Sequence, residues 1–270
     1  FTEWEGALFD RDLLSHEMVH SWNGKYRRPA DMWTADFRTP MCDNLLWVYE
    51  GQTQFWGYIL AARSGLMTKE EVLGMLGSTA ARYDDGRPGR TWRPLADTTL
   101  APVISARQPI GWSSWQRGED YYSEGLLIWL DADSLIRERT DGRKSLDDFA
   151  RNFFGVNDGD LGQLTYTFDD VVTELNKVLT FDWEPWLRQR VEQTNTHAPL
   201  DGFERGGYRL IFTEEPSAYF KKAESEFKYT ELSYSIGMSI ENNGDVSNVI
   251  WDSLAFEAGL AKGNKILAVN

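Results

Sequence analysis

The stretch Ser15-His16-Glu17-Met18-Val19-His20-Ser21-Trp22 places two histidines four positions apart, with a glutamate directly after the first. Residues i and i+4 lie on one face of an α-helix, so both imidazoles can reach a single cation while the Glu17 carboxylate lies beside it. The whole chain has three histidines, and two of them fall in this pattern. The segment therefore predicts a helix carrying two ligands of a catalytic zinc ion, His16 and His20, in preference to two unrelated helix histidines.

A catalytic zinc ion usually takes a third protein ligand, commonly a carboxylate. No glutamate occurs between His20 and Glu50, which follows Leu46-Trp47-Val48-Tyr49, where an unpaired carboxylate would be costly to bury. Glu50 is therefore the predicted third ligand, and pairing with an arginine or capping of the helix is the alternative. Gln54, one turn later, is a candidate to orient a ligand histidine. Weaker ligand candidates, in an irregular stretch with prolines, are Asp31, Asp36 and Asp43.

Composition limits the classes of protein that remain. A chain of 270 residues with 41% hydrophobic content can bury a sizeable core in one or two domains. Its formal charge of −14 argues against nucleic acid as a partner, because phosphate contacts need clustered lysines and arginines. No apolar run of about 18 residues is present and the start resembles no signal peptide, so we expect a soluble protein with no membrane partner. Cys42 is the single cysteine, which excludes an intrachain disulfide and fits a periplasmic or a cytoplasmic location.

Apolar periodicity and helix start signals predict that residues 1–200 are mainly helical. The clearest helices are expected over 11–22, 45–64 and 123–139. Gly65 suits a left-handed cap at the end of the second helix. Glycine, proline and serine between residues 83 and 118 indicate a long irregular segment. Capping-box spacing predicts two further helix starts, at Thr68 with Glu71 and at Ser145 with Asp148.

The character of the sequence changes after about Pro199. Residues 208–212 and 234–240 are predicted strands, with glycine, asparagine and aspartate turns around them. We place a domain boundary near residues 198–206. The expected organisation is a helical domain over 1–200 and a β-rich domain over 206–270.

The histidine pattern followed by Trp47-Val48-Tyr49-Glu50-Gly51 resembles the gluzincin clan of zinc peptidases. Within that clan it is most similar to the glycyl aminopeptidase family, whose members carry a PDZ domain behind the catalytic domain. The resemblance implies a mainly α, thermolysin-like catalytic domain with one zinc ion per chain, and release of small N-terminal residues, glycine or alanine, from peptides. The gap from His20 to Glu50 is longer than in the best-known aminopeptidases of the clan, so this third ligand requires an insertion.

The same resemblance implies roles for residues outside the histidine helix. The clan's aminopeptidases place a tyrosine ahead of a helix that starts Tyr-x-x-Gly, and Tyr122-Ser123-Glu124-Gly125 matches that start. It implies that Tyr122 donates to the oxyanion, with the adjacent Tyr121 as the alternative, and that Glu17 is the general base. An aminopeptidase also needs a carboxylate for the substrate ammonium group. Candidates, equally plausible as surface charges, are Glu119, Asp120 and Glu124.

The C-terminal stretch supports the same resemblance independently. Residues 255–270 resemble the middle of a PDZ domain, with Asn264 where an aspartate is more usual, and residues 234–238 would supply its peptide-docking loop and edge strand. A complete PDZ domain would need a further helix and strand, and the clan's N-terminal sheet domain is not present before Phe1. The resemblance therefore implies a fragment, slightly favours the periplasm, and implies two partners: a peptide substrate and a peptide or protein ligand of the PDZ-like segment.

Two other functions fit the same residues. A zinc endopeptidase would use the same core with an open cleft, and it would cleave a peptide that lacks a free amine. A PDZ-type peptide-binding protein could instead carry a silent peptidase domain, but intact His16, Glu17, His20 and Glu50 argue against this alternative.

Overall fold

The computed structural model describes Trp4, residues 6–102 and residues 111–269. Helices dominate this part of the chain, which confirms the expected mainly α fold. The α-helices are α1 (Arg11–Val19), α2 (Leu46–Arg63), α3 (Lys69–Asp84), α4 (Leu95–Thr98), α5 (Ser113–Gln116), α6 (Ser123–Arg139), α7 (Leu146–Phe154), α8 (Phe168–Val178), α9 (Trp183–Glu192), α10 (Asp201–Arg205), α11 (Ala218–Phe227) and α12 (Leu254–Glu257). The 3₁₀ helices are Leu8–Asp10, Ala30–Met32 and Pro88–Thr91, and the strands are β1 (Arg27–Pro29), β2 (Leu164–Tyr166), β3 (Tyr229–Leu232), β4 (Met238–Glu241) and β5 (Val246–Val249).

The three long helices expected from the sequence are confirmed as α1, α2 and α6. Helix α1 ends before Trp22, because the N–H groups of Ser21 and Trp22 bond carbonyls only three residues back and tighten the chain into a turn. Gly65 follows α2 with a φ of +77°, the left-handed cap that the sequence predicts. Across the described residues, no helix is both long and apolar enough to span a membrane.

Local side-chain bonds fix several helix starts. Thr68 Oγ1 accepts from the Glu71 N–H at 3.2 Å, and the Thr68 N–H donates to the Glu71 carboxylate at 2.8 Å. Ser145 and Asp148 form the second expected capping box at the start of α7. Both predictions are confirmed, because a capping box depends only on residues three apart in the sequence.

The segment expected to be irregular is confirmed where the structure describes it. Helix α3 continues to Asp84, and the turns Pro88–Thr91, Leu95–Thr98 and Ser113–Gln116 beyond it have four residues each. Residues 103–110 of this expected irregular segment lie outside the described residues. The segment leads directly into the two tyrosines that precede α6.

The small sheets differ from the expected strands. Strands β1 and β2 pair in parallel, and β3, β4 and β5 form an antiparallel sheet in that order. The expected strand over 208–212 is wrong. These residues have no regular structure, and Ile211 and Phe212 are 61% and 57% exposed. An apolar run becomes a strand only where a second strand meets its backbone groups, and none of the described strands pairs with it.

The second expected strand, over 234–240, begins late. Residues 234–237 form a turn in which the Leu232 carbonyl accepts from three successive N–H groups, and β4 starts at Met238. Because β4 pairs with β3 on one side and with β5 on the other, the expectation that this segment supplies an exposed edge strand is wrong. A peptide cannot add to β4 in this arrangement.

The main hydrophobic core lies where α2 crosses α1 and α6. Gly51 of α2 faces Gly125 of α6 so closely that a Cβ on Gly51 would lie 2.8 Å from the Gly125 Cα and 2.7 Å from the Tyr121 carbonyl oxygen. Trp129 reinforces this contact, because its indole N–H donates to the Trp47 carbonyl at 3.0 Å. The crossing thus brings Gly51, which directly follows Glu50, against α6, the helix that begins directly after Tyr122.

A second, smaller hydrophobic cluster contains Met238, Val246, Val249 and Ala255. It is joined to α5 by aromatic contacts, since the rings of Trp115 and Trp251 stack with centroids 5.3 Å apart. The Trp251 N–H also donates to Ser114 Oγ at 3.1 Å. Leu200 and Phe203, however, pack against the first cluster. The domain division near residues 198–206 and the PDZ-like assignment of residues 206–270 stay predictions.

The close helix crossing predicts that Gly51→Ala destabilises the protein. The added methyl group would force the backbones of α2 and α6 apart, and overpacking of this kind costs about 1–3 kcal/mol in the free energy of unfolding. The matched control is Gly77→Ala in α3, where an added Cβ meets nothing within 4 Å. The control should be neutral or stabilising by about 0.5–1 kcal/mol, because alanine has the higher helix propensity. Denaturant unfolding of both variants measures these free energies. Equal free energies of unfolding for Gly51→Ala and Gly77→Ala would contradict the close approach of α2 and α6.

Candidate metal centre

Three side chains from the predicted ligand set converge at one point. His16 lies on α1 and His20 directly follows the helix, and their Nε2 atoms are 3.1 Å apart. Glu50 lies in the second turn of α2, with its Oε2 atom 3.5 Å from His16 Nε2 and 3.2 Å from His20 Nε2. One ligand atom from each residue lies within 4.8 Å of the other two, as a single metal ion requires. The structure thus brings together the two histidines and the glutamate that the sequence singles out.

Tight packing between α1 and α2 sets this geometry. A Cβ on Gly57 of α2 would lie 3.2 Å from the His16 Cβ, so the absence of a side chain at Gly57 leaves room for the histidine. Ser15 Oγ also donates to the Gly57 carbonyl at 2.9 Å, both atoms being buried. His16 is therefore held against the face of α2 that carries Glu50.

The orientation of His20 is fixed from its other ring nitrogen. His20 Nδ1 lies 3.0 Å from the backbone oxygen of Asn23, and a carbonyl oxygen only accepts. The proton therefore lies on Nδ1, and the Nε2 lone pair points towards Glu50 and His16. The Tyr49 ring stacks on the His20 ring with centroids 4.9 Å apart and holds it from the other side.

The electrostatics of the three residues suit a cation. Burial raises the pKa of Glu50, but the neighbouring imidazoles of His16 and His20 outweigh this effect and lower that pKa to about 2. The carboxylate is therefore ionised at neutral pH. Its Oε2 atom is buried, and none of the described residues gives it a hydrogen bond of good geometry. An ionised oxygen without a proper donor, beside two imidazole nitrogens, is the donor set that zinc prefers, so these residues fit a zinc ion.

The two tyrosines before α6 occupy different environments. The Tyr122 ring lies next to the ligand cluster, with its centroid 6.2 Å from that of His16. Burial and the nearby Glu50 charge raise the pKa of Tyr122 well above its usual value, so its hydroxyl keeps its proton. Tyr121 is only 3% exposed and belongs to the hydrophobic core. Of the two, Tyr122 has the ring that faces a ligand histidine.

Glu17 is on the solvent side of the cluster. It is exposed on α1, directly after His16, and it is not one of the three converging residues. Its charge contributes to raising the pKa of His20 and of Tyr49, which places it within electrostatic range of the cluster. Glu17 is thus open to water and within electrostatic range of His20.

Other candidates from the sequence are not at the centre. Asp31, Asp36 and Asp43 do not join the converging group among the described residues. Asp36 instead pairs with Arg38 at 2.9 Å on the surface. The expectation that Gln54 orients a ligand histidine is wrong, because Gln54 Nε2 donates to Asp12 Oδ2 at 3.1 Å. Gln54 thus ties α2 to the first turn of α1.

The three carboxylates considered for the substrate ammonium group differ in burial and in their partners. Asp120 bonds the Arg117 guanidinium at 2.7 Å, and both side chains are almost fully buried. Glu124 bonds Arg117 and Arg90 at 2.5 Å each, also in the interior. Glu119 is exposed, and its charge contributes to raising the pKa of Tyr121 and Tyr122. Glu119 is the member of the trio that remains open to solvent near the cluster.

Two residues beside the cluster, Asn23 and Tyr49, were not predicted from the sequence. Both contact His20, one through its backbone oxygen and one through its ring. Asn23 lies three residues after His20, at the point where the helix pattern ends, and Tyr49 directly precedes Glu50. Their adjacency to predicted ligands was the available signal.

Residues that include this cluster resemble a known family of peptidases. The family model for the M61 glycyl aminopeptidases matches residues 10–128. This range contains the converging residues, Glu17 and both tyrosines. No curated protein sequence matches the chain.

A solved structure has the same fold. The aminopeptidase N family protein from Idiomarina loihiensis superposes with a TM-score of 0.74 at 22% identity, over 97% of this chain and 44% of its own. This chain therefore spans less than half of the length of that protein. The likeness shows a shared fold, and residues 10–128, less than half of the chain, are similar to the M61 glycyl aminopeptidase family.

Proposed function

We propose that this chain is the catalytic part of a zinc-dependent aminopeptidase, with a thermolysin-like helical fold, that releases glycine or alanine from the N-termini of peptides. The observation that carries the proposal is the convergence of His16, His20 and Glu50 on one point. The similarity of residues 10–128 to the glycyl aminopeptidase family supports the reaction and the preference for small residues.

His16, His20 and Glu50 would hold the ion, which when bound supplies Lewis-acid activation of the scissile carbonyl and of the attacking water. The exposed Glu17 carboxylate accepts a proton from that water and delivers it to the nitrogen of the leaving amine. Tyr122 donates its hydroxyl hydrogen bond to the oxygen on which negative charge develops. The raised pKa of Tyr122 supports this role, because only the protonated hydroxyl can donate.

Glu119 is the proposed partner of the substrate ammonium group. Asp120 and Glu124 are committed to buried arginines, whereas Glu119 remains exposed within electrostatic range of Tyr122. An ion pair at this position would hold the substrate by its N-terminus.

Metal content is the first test. After incubation with zinc and removal of the excess, elemental analysis should find about one zinc ion per chain, as expected for a three-residue catalytic site. His20→Ala should lose the ion. The matched control is His197→Ala, because His197 is exposed and pairs with Asp84 at 3.2 Å, away from the converging residues. Retention of zinc by His20→Ala, or its loss in His197→Ala, would contradict the assigned ligands.

The two neighbouring tyrosines provide a test of the oxyanion role. Tyr122→Phe should lower kcat for glycyl and alanyl p-nitroanilides by about 10²–10³-fold, the usual cost of one lost oxyanion donor. Its zinc content should stay at the wild-type level. Tyr121→Phe, the control, should keep nearly full activity because Tyr121 packs in the core. The reverse pattern would assign the role to Tyr121 instead.

Replacement of Glu119 tests substrate recognition. Glu119→Gln should raise KM for a free-amine substrate and lower kcat/KM roughly tenfold, equivalent to about 1.4 kcal/mol of transition-state binding. Glu226→Gln removes an equal charge from the exposed end of α11 and should have no effect. The wild-type protein should not cleave the N-acetylated substrate. Efficient cleavage of that blocked substrate would instead indicate an endopeptidase.

A further inference from the structure

Asn23 lies at a junction of three elements and is completely buried. Its backbone oxygen accepts from His20 Nδ1 at 3.0 Å. Its side-chain Nδ2 donates to the carbonyl oxygens of Val48 at 3.0 Å and Tyr49 at 3.1 Å, in the turn of α2 that leads to Glu50. Its Oδ1 accepts from the Tyr166 hydroxyl of β2 at 2.8 Å.

These bonds connect the two ligand-bearing helices through one residue. His20 and Glu50 are separated by a long segment that crosses β1 and an irregular stretch, so the intervening chain alone does not fix their distance. Asn23 bonds directly to His20 and to the two carbonyls that precede Glu50. A displacement of α2 relative to the end of α1 must therefore break hydrogen bonds inside the protein, where unmade bonds are costly.

The amide chemistry of Asn23 suits this position closely. A carboxamide offers two N–H donors and one oxygen acceptor, and here the donors meet carbonyl oxygens while the oxygen meets a hydroxyl. An aspartate has the same shape, but its carboxylate would oppose the Val48 and Tyr49 carbonyl oxygens with no hydrogen to donate. An alanine would remove the side-chain bonds to Val48, Tyr49 and Tyr166.

We propose that Asn23 is a positioning residue that fixes the distance between His20 and Glu50 and thereby sets the affinity of the centre for a divalent ion. The inference rests on the metal site of the proposed function. It goes beyond that site because Asn23 contributes no ligand atom and acts only through His20 and the backbone before Glu50. Residues that orient metal ligands typically change metal affinity by about 10–100-fold when they are replaced.

The experiment measures the zinc dissociation constant of the whole chain by competition with a chromophoric chelator. Asn23→Ala and Asn23→Asp should each bind zinc about 10–100-fold more weakly than the wild type. The control is Tyr166→Phe, which removes a hydrogen bond from the same asparagine but leaves the bonds to Val48, Tyr49 and His20 in place. This control should lower the melting temperature of the metal-free protein and keep the zinc affinity near that of the wild type.

Each outcome has a distinct meaning. Wild-type affinity in the folded Asn23 variants would overturn the positioning role and leave the metal site intact. Equal weakening in Tyr166→Phe and in the Asn23 variants would also overturn it, because general destabilisation would then explain the loss. If Asn23→Ala does not fold, as judged by circular dichroism, Asn23→Asp and Asn23→Ser decide the question. No zinc binding by the wild-type chain would overturn the proposed function, and this inference with it.

Discussion

The close approach of α2 and α6 at Gly51 and Gly125 is the constraint on which the rest of the site depends. A Cβ added to either glycine would lie 2.8 Å from the Cα of the other, so the approach is possible only because both residues lack a side chain. Glu50 precedes one of these glycines, and Tyr122 lies three residues before the other, so the crossing also determines how near these two side chains lie. A third glycine, Gly57, lets α1 approach α2 in the same way. Small residues at helix crossings thus determine the geometry of the site as much as the converging side chains do.

Buried ion pairs keep the start of α6 in place. Arg117 is 1% exposed, adopts a left-handed backbone with a φ of +57°, and bonds both Asp120 and Glu124. The positive φ is unfavourable for a residue with a side chain, and the bonds of its guanidinium compensate for it. Removal of one partner from a buried pair costs about 3–5 kcal/mol, because the remaining charge stays desolvated. The carboxylates of Asp120 and Glu124 are therefore structural groups that hold Tyr121 and Tyr122 in place at the start of α6.

The sequence was most informative where a contact depends on a few neighbouring residues. His16 and His20 were predictable because helical periodicity alone puts them on one face, and the capping boxes because they span three residues. Glu50 was predictable from the cost of burying a carboxylate among apolar neighbours. Asn23 was not, since its bonds reach Val48 and, across most of the chain, Tyr166. The strand predicted over residues 208–212 was wrong because an apolar run does not reveal whether a partner strand exists. The central position of β4 could not be predicted either, since it depends on the strands on both sides of it.

The groups of the centre shift one another's pKa values in opposite directions, since the pKa of Glu50 is lowered and that of Tyr122 is raised. The imidazoles of His16 and His20 keep Glu50 ionised down to a pH of about 2. The same Glu50 charge raises the pKa of Tyr122, which stays protonated at every pH below that raised value. A bound cation would act in the other direction on the hydroxyl, because positive charge stabilises the tyrosinate. Burial of Tyr122 beside a permanent carboxylate therefore offsets the cation in advance. A protonated Tyr122 hydroxyl and an ionised Glu50 carboxylate can then share one small space at neutral pH, as the proposed donor and ligand roles require.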